Sequence, residues 1–291
     1  MAFSYLRPRS IDEVVSVLAE HGPNARLLAG GTDLLVRLRS GHTRPAVVVD
    51  LKRVAGLTSD VTEADGALRI GARAVMTDLI ADERIRRDYP ALVEAASVVG
   101  SVQIRNRATL AGNICNASPA ADTAPALLAY GATVNLVGPS GKRHIALEEF
   151  FTGPGRTVLE RGELVESVDL RKHGGPTGGA FGRVTRRWGV DLATINMAIV
   201  VTDGGEARCA FGAVAPRPIL VVETRGALAI RSGDLAARRV AWRRLLTSTS
   251  PITDVRGGRD YRQAMLEVVS ERTWSVAMDR LDAARKKDVR A

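Results

Sequence analysis

The chain has 291 residues, 45% of them apolar, a mean hydropathy close to zero and a formal net charge of +9. It is long enough to bury a core in two or three compact units, and no window reaches the roughly 18 consecutive apolar residues of a membrane span. The N-terminal segment lacks a basic region followed by a long apolar one, which predicts no secretory signal. We therefore expect a globular cytoplasmic protein.

The cysteine content and the spread of charge exclude further classes. Only Cys115 and Cys209 are present, too few for an all-cysteine iron–sulfur cluster or a structural zinc site held by this chain alone. The four histidines show no metal-binding spacing. Arginines are spread along the chain with acids between them, and aromatic residues make up only 4%, which argues against nucleic-acid binding. The excess charge is either an ordinary solvated surface or a face that docks on an acidic partner subunit.

The first 55 residues predict a small α/β unit. Ser10 and Glu13 form a capping box that opens a helix to about Glu20, and Gly22 is its stop. Apolar or β-branched runs predict strands before and after it, and an amphipathic segment predicts a short second helix. The predicted strands are 3–8, 25–29 and 45–51, and the short helix is 34–39.

The next 120 residues mix helices and strands. An apolar helix at 90–99 leads into a loop of small and hydrogen-bonding residues at 105–125, and a hairpin turn follows at 138–141. The predicted helices are 76–86, 90–99, 122–130 and 147–151, and the predicted strands are 66–72, 131–137, 143–145 and 163–170.

The glycine-rich segment 172–179 is the predicted domain boundary, because it offers flexibility and no core. Beyond it the pattern predicts strands at 180–186, 194–202 and 206–214, then helices at 218–230, 234–248 and 261–284, as in an α+β unit. We expect one domain over 1–175, with subdomains of about 1–55 and 56–175, and a second over 176–291.

Two loops have the chemistry to hold phosphate. The first follows a buried strand and precedes a helix, where free N–H groups and the helix dipole favour an anion. It reads Ala29-Gly30-Gly31-Thr32-Asp33-Leu34. The second lies within 105–125, where Thr109, Asn113, Asn116 and Ser118 offer side-chain donors, and Ala111 and Gly112 allow a close approach to the backbone.

Asp122 follows at the start of the next predicted helix and fits an N-cap; its carboxylate would repel a phosphate but could accept from a ribose hydroxyl. Together the loops could bind the two phosphates of a dinucleotide. The alternative is a pair of ordinary structural turns.

These segments together resemble the FAD-binding (medium) subunits of the molybdenum hydroxylases, which include the carbon monoxide dehydrogenase and xanthine dehydrogenase families. The resemblance extends from about residue 1 to about residue 280. It implies an α+β fold, with a two-subdomain FAD-binding domain followed by a smaller C-terminal domain of a three-stranded antiparallel sheet packed on helices. The motifs are Ala29-Gly30-Gly31-Thr32-Asp33-Leu34-Leu35, Gln103-Ile104-Arg105-Asn106, Thr109-Leu110-Ala111-Gly112-Asn113-Ile114 and Ser118-Pro119-Ala120-Ala121-Asp122.

The resemblance also implies a set of cofactor-binding residues. The backbone of residues 29–34 and the loop 109–116 would hold the FAD pyrophosphate, with Asp122 in the same site. Val165 would lie beside the flavin ring. Arg183 stands where xanthine dehydrogenases carry a lysine near the flavin, and Ala111 stands where those relatives have a glycine. Cys115 is expected to pack as a small buried thiol, although it could lie near the flavin.

The function that the resemblance implies is electron transfer. FAD would receive electrons from two-iron two-sulfur clusters of a small partner subunit, which takes them from a large subunit carrying the molybdenum cofactor. An external acceptor, whether NAD, quinone or dioxygen, would then take them from FAD. No catalytic acid, base or metal ligand is predicted in this chain. The alternatives are a self-contained flavin reductase on a related scaffold and a non-catalytic dinucleotide-binding module.

Overall fold

The computed structural model describes residues 3–231 and 235–288, and their N-terminal part is a three-stranded parallel sheet. Its strands are β1 (Ser4–Leu6), β2 (Ala25–Leu28) and β3 (Val47–Asp50), in the order β1-β3-β2. Helix α1 (Ile11–His21) lies between β1 and β2 in the chain; the Ser10 hydroxyl caps its start, and Gly22 with φ +51° ends it. Helix α2 (Leu34–Arg39) follows β2.

A five-stranded antiparallel sheet forms the second layer, in the order β4-β5-β10-β6-β7. Helices cover one of its faces, and a two-stranded hairpin lies beside it. The strands are β4 (Val61–Ala64), β5 (Ala67–Gly71), β6 (Thr133–Gly138), β7 (Gly141–Ala146), the hairpin β8 (Phe151–Gly153) with β9 (Arg156–Thr157), and β10 (Leu164–Arg171). The helices are α3 (Met76–Ala81), α4 (Glu83–Asp88), α5 (Pro90–Ser97), α6 (Val102–Arg105), α7 (Leu110–Cys115), α8 (Thr123–Ala129) and α9 (Leu147–Phe150).

The C-terminal part is an antiparallel sheet with two helices on one face. The strands are β11 (Thr177–Val184), β12 (Ile195–Thr202), β13 (Ala207–Gly212) and β14 (Ile219–Glu223), and the helices are α10 (Leu235–Leu246) and α11 (Arg259–Asp288). Side chains of β12 alternate between two cores. Ala198 and Val200 join the core of the N-terminal layers, whereas Ile199 and Val201 join the core under α10 and α11.

The α+β fold class is confirmed, with three local corrections. The C-terminal sheet has four strands instead of three, because the segment expected as a helix at 218–230 contains β14. The helix expected at 76–86 is two helices, since the Asp82 side chain accepts from the N–H groups of Arg84 and Ile85 and starts a new one. Residue 234, the expected start of the penultimate helix, lies outside the described residues.

The third correction concerns the glycine-rich segment at 172–179. Gly178 and Gly179 lie in β11, where added Cβ atoms would overlap the Ala277 carbonyl of α11 and the Tyr130 hydroxyl. These two glycines therefore serve close packing rather than a flexible linker. Within the described ranges, no helix is long and apolar enough to cross a membrane.

Candidate cofactor site

The Gly-Gly loop lies at the carboxyl edge of the parallel sheet, between β2 and α2. Gly31 has φ +78°, a conformation that favours glycine, and it turns the chain from the strand into the helix. Asp33 occupies the N-cap of α2, but its side chain makes no cap hydrogen bond. In the first turn of α2, Leu35 N donates to Gly31 O and Arg37 N to Asp33 O, both at 3.0 Å, and the Asp33 side chain accepts from none of the remaining N–H groups. Thr32 stands half-buried beside them.

The second loop is partly helical, which corrects the expectation of a continuous loop at 105–125. Thr109 caps α7 by accepting from the Gly112 N–H at 3.1 Å. Leu110 and Ile114 are buried, and the Ala111 methyl packs into the same core. Backbone hydrogen bonds from Leu110 N to Ala74 O and from Met76 N to Ala108 O, both 3.0 Å, anchor the segment to the chain before α3.

The two loops are in direct contact. A Cβ on Gly30 would overlap the Arg107 carbonyl oxygen and lie 2.9 Å from its carbon, so only glycine permits this approach. The Arg37 guanidinium of α2 donates to Asn116 Oδ1 at 2.6 Å, and Asn116 Nδ2 donates to Asp33 Oδ1 at 3.3 Å. Segments about 80 residues apart in sequence thus form one structural unit.

Asp122 is buried and held by the C-terminal sheet. It stands at the N-cap of α8 without capping it, which corrects the expected role of its side chain. Instead it accepts from Asn196 Nδ2 at 2.8 Å, and Arg183 Nε lies 3.3 Å from the same oxygen. Burial raises the pKa of Asp122 to about 6, although Arg183 and Asn196 favour the carboxylate.

Arg183 links this carboxylate to two backbone segments. Its guanidinium donates to Val98 O at 3.3 Å and also to the Asp191 carbonyl. Its Nε is close enough for an ion pair with Asp122 but forms no hydrogen bond, and Asn196 Oδ1 is also buried without a partner within the described residues. These two atoms are polar groups at Asp122 that a bound molecule could satisfy.

Val165 and Cys115 complete the set of predicted residues. Val165 is buried in β10 and belongs to the main core, just before a β-bulge that separates it from Ser167. Cys115 also packs against that core at the end of α7, and burial raises the pKa of its thiol to about 12. A thiol with such a pKa stays protonated and unreactive at neutral pH.

The structure therefore brings most of the predicted residues into two neighbouring groups, whereas Val165 is packed in the core on β10. The first is built by α2 and α7, and Asn113 of this group accepts from the Thr123 hydroxyl at 2.7 Å, next to Asp122 of the second. Sequence reasoning missed Arg37 and Asn196. Asn196 carries a signal, since it is a polar residue within the apolar run from Ile195 to Val201, whereas the contact of Arg37 with Asn116 depends on the fold.

Comparison with known proteins gives the same family over almost the whole chain. Residues 1–170 match the model described as the FAD binding domain in molybdopterin dehydrogenase, and residues 180–277 match the CO dehydrogenase flavoprotein C-terminal domain. The xanthine dehydrogenase FAD-binding subunit of Escherichia coli O157:H7 is 32% identical, covering 94% of this chain and 96% of the relative. The carbon monoxide dehydrogenase medium chain of Hydrogenophaga pseudoflava is 31% identical, covering 96% and 98%.

Solved structures agree with these sequence matches. A chain of carbon monoxide dehydrogenase from Hydrogenophaga pseudoflava superposes with a TM-score of 0.88 at 30% identity, covering 97% of this chain and 99% of that one. A chain of quinoline 2-oxidoreductase from Pseudomonas putida 86 superposes with a TM-score of 0.83 at 29% identity, covering 98% of each. This chain belongs to the family of FAD-binding subunits of the molybdenum hydroxylases, the oxidoreductases that include the xanthine and carbon monoxide dehydrogenases.

Proposed function

We propose that the chain binds one FAD across the Gly-Gly loop and α7 and passes electrons from iron–sulfur clusters of a partner subunit to an external acceptor. One observation carries the proposal. The two predicted phosphate loops, remote in sequence, are joined by the close approach of Gly30 to Arg107 and by the Asp33–Asn116–Arg37 hydrogen bonds. Two unrelated surface turns would have no reason to meet in this way.

The residues present fit FAD. The turn at Gly31 and the start of α2 offer backbone N–H groups to a pyrophosphate, and the caps at Thr109 and Asn116 hold the facing segment in place. Around Asp122, the buried Arg183 Nε and Asn196 Oδ1 offer one donor and one acceptor to the remainder of the molecule. In this proposal the pyrophosphate contacts residues 29–34 and 109–116, and the flavin lies towards Asp122, Val165 and Arg183.

The chain supplies binding and orientation rather than acid–base chemistry. FAD, when bound, supplies a redox centre that exchanges electrons with donors and acceptors. Four contacts fix the Asp122–Arg183–Asn196 cluster. The cluster holds the Asp122–Arg183 charged pair at a buried position, where it would tune the electrostatic environment of the flavin. We place the iron–sulfur clusters in a small partner subunit and the molybdenum cofactor in a large one, because the chain has only two cysteines. NAD, quinone or dioxygen would be the acceptor.

We further propose that residues 1–175 carry the cofactor, with subdomains of about 1–55 and 56–175, and that residues 176–291 close the site through Arg183 and Asn196. We also propose that the complex works in the cytoplasm.

The absorption spectrum of the purified chain tests the cofactor proposal, before and after acid or heat release of any chromophore and its identification by mass. About one FAD per chain is the expected result. A chain that stays colourless after incubation with excess FAD would overturn it. Turnover of NADPH by the isolated chain would instead support a self-contained flavin reductase.

A further inference from the structure

Arg73 lies in the short segment that joins β5 to α3, outside both predicted phosphate loops. Its Nη1 donates to the Lys52 carbonyl oxygen, and its backbone N–H donates to Thr58 O at 2.9 Å. The Nε atom of Arg73 is buried and has no hydrogen-bond partner within the described residues. A guanidinium offers five N–H donors and keeps its charge in proteins. One of these donors is therefore held away from water with nothing to accept from it.

The bond to Lys52 places the guanidinium at the carboxyl edge of the parallel sheet, beside the first loop. Lys52 is the second residue after β3. The pairing of β3 with β2 continues past the strand ends, because Leu51 N donates to Leu28 O at 3.0 Å. Leu28 ends β2, and Gly30 follows two residues later. Neighbouring strands lie about 4.8 Å apart. Arg73 is thus bonded to the chain end next to the one that forms the Gly-Gly loop.

The segment that carries Arg73 also contacts the second loop. Val75 forms an antiparallel bridge with Thr109, the cap of α7. The preceding residue of that loop, Ala108, faces the first loop, since a Cβ on Gly30 would lie 3.1 Å from the Ala108 Cα. Arg73 therefore stands two residues before the point at which the β5–α3 segment meets both loops.

No carboxylate neutralises the charge of Arg73. Among the residues that the structure describes, Arg73 forms no ion pair. Asp50, which precedes Lys52 by two residues, already accepts from the Lys52 N–H at 3.0 Å and from the Tyr5 hydroxyl, and Lys52 Nζ lies 3.1 Å from the same carboxylate. An unpaired positive charge and an unused N–H thus remain near both loops. A pyrophosphate has the negative charge and the acceptor oxygens to satisfy both.

A purely structural role accounts for Nη1 but not for Nε. The bond to Lys52 O ties the β5–α3 segment to the end of β3, and a single donor is enough for that. Arg26, at the opposite edge of the same sheet, shows an arginine with such a role. Its Nη1 donates to Pro23 O at 2.7 Å and to Ala25 O at 2.8 Å, and within the described ranges it keeps no buried donor without a partner.

We propose that Arg73 is a ligand of the FAD pyrophosphate and donates from Nε to a phosphate oxygen while Nη1 stays bonded to Lys52 O. This inference rests on the proposed function, because it takes the two loops as the pyrophosphate site. It adds to that site a charged side chain that belongs to neither loop motif. The bond to Lys52 orients the guanidinium before the cofactor binds, so little side-chain entropy is lost on binding.

The test compares FAD binding by the wild-type chain, Arg73→Met, Arg73→Lys and the matched control Arg26→Met. Flavin fluorescence titration gives the Kd, and phosphorus NMR of the complexes reports on the two phosphates. Arg73→Met is expected to raise the Kd about 10- to 100-fold, the loss of a charge-assisted hydrogen bond, and to move the phosphorus resonances of bound FAD without altering the flavin absorption spectrum. Arg73→Lys keeps the charge but lacks Nε, so its Kd should lie between. Arg26→Met should leave the Kd within about twofold.

The outcomes separate this proposal from the proposed function. An unchanged Kd and unmoved phosphorus resonances in Arg73→Met overturn the proposal and leave the proposed function standing. A raised Kd with unmoved phosphorus resonances also overturns it: a lower melting temperature of the FAD-free variant then assigns Arg73 a structural role, and an altered flavin spectrum places it at the other end of the cofactor. If Arg73→Met does not fold, Arg73→Lys decides by the same two readouts. A wild-type chain that binds no FAD contradicts the proposed function itself.

Discussion

Gly30 is the residue at which the contact between the two loops is most sensitive. An alanine methyl there would overlap the Arg107 carbonyl oxygen, a backbone atom that cannot move by a side-chain rotation. We expect Gly30→Ala to separate the loops, to lower the free energy of unfolding by about 1–3 kcal/mol, and to lower FAD retention more than tenfold. Flavin fluorescence titration and urea unfolding measure the two effects.

The control for this change is Gly174→Ala, because a Cβ on Gly174 would meet no atom within 4 Å. It should leave both measurements close to the wild-type values. Equal FAD affinity in Gly30→Ala and wild type would show that the proposed site does not depend on the contact.

Asp122 predicts a dependence of stability on pH. Burial raises its pKa to about 6 from an ordinary 3.8, so the folded chain binds this proton more tightly than the unfolded chain does. The contribution of Asp122 to the free energy of unfolding therefore falls as the pH rises from about 4 to about 6, by about 3 kcal/mol in total. Above that range the contribution stays constant.

Urea unfolding of the FAD-free chain and of its Asp122→Asn variant checks this sign. The stability of the wild type relative to the variant should fall between pH 4 and pH 6.5, because the amide does not titrate. A relative stability that rises over this range would mean that Arg183 and Asn196 outweigh the cost of burial.

Single residues also show where sequence reasoning reaches its limit at the candidate site. The turn at Gly30-Gly31 is a local feature that the pattern indicated, whereas Thr109 was expected as a donor within a loop and caps α7 in the structure. The partners of Asp122 are not local, since Asn196 and Arg183 come from strands more than 60 residues later. A cap was the better local interpretation of Asp122, and the tertiary contacts overrode it. Whether the whole predicted set contacts FAD stays a prediction.

At the scale of elements, most helices and strands followed from periodicity and caps, and β14 shows why one did not. Residues 218–230 combine apolar residues with alanine and were expected as a helix. Residues 219–222 are Ile-Leu-Val-Val, a run that suits a strand, and β13 offers an open edge with which β14 pairs from Ala207–Glu223 to Phe211–Ile219. The available edge, which the sequence does not display, decided the outcome.

Helix α11 is fixed at its N-terminal end by one buried arginine. Arg262 is 1% exposed and donates to Thr194 O at 2.7 Å, Ala213 O at 2.8 Å and Asp254 Oδ1 at 2.6 Å. Burial alone would raise the pKa of Asp254, but hydrogen bonds from Arg256 and Arg262 hold it well below its usual range. Arg262 thus ties the helix to two strand ends and the loop before α11.

We expect Arg262→Met to lower the free energy of unfolding by about 3–5 kcal/mol, because it leaves the Thr194 and Ala213 carbonyls without this donor and Asp254 with Arg256 as its remaining arginine partner. Thermal unfolding followed by circular dichroism measures the loss. Arg272→Met on the exposed side of the same helix should change stability by less than about 0.5 kcal/mol. Similar values for the two variants would contradict the structural role of Arg262.

Across the whole molecule, the N-terminal and C-terminal parts are joined by the packing of both faces of β12 and by the polar contacts of Glu94 and Arg280 with β11, which we call the polar clamp. Glu94 of α5 accepts from Phe181 N at 2.9 Å and from the Arg280 guanidinium of α11, and Arg280 also donates to Gly179 O at 2.6 Å. The clamp holds β11 between a helix from each part.

Removal of the clamp should weaken the cooperativity of unfolding. We expect Arg280→Met to lower stability by about 1–3 kcal/mol and to raise the ratio of calorimetric to van't Hoff enthalpy above one, as the two parts begin to unfold separately. Arg239→Met, an exposed change on α10, should leave the ratio unaltered. A ratio that stays at the wild-type value in Arg280→Met would show that packing of β12 alone couples the parts.

The order of helices and strands along the chain was predictable because each element carries its own pattern, and the resemblance supplied the architecture. The arrangement of the parts was not, because it depends on side chains that point across an interface. Tyr130 is an example. Tyr130 follows α8 directly in the chain, and its hydroxyl accepts from Ala91 N and lies against Gly179 of β11. It thus joins three segments that are separate in sequence.

The bare backbone of β11 has a consequence for how the molecule can evolve. Side chains are absent at Gly178, where a Cβ would overlap the Ala277 carbonyl of α11, at Gly182, where it would overlap the Thr273 side chain of α11, and at Gly179, where it would overlap the Tyr130 hydroxyl. The contacts at Gly179 and Gly182 are with side chains, which a compensating substitution can adjust. The contact at Gly178 is with the main chain of α11, which no change of rotamer can move. Gly178 therefore fixes the distance between β11 and α11, and sequence drift around them should leave that distance unchanged as long as Gly178 remains.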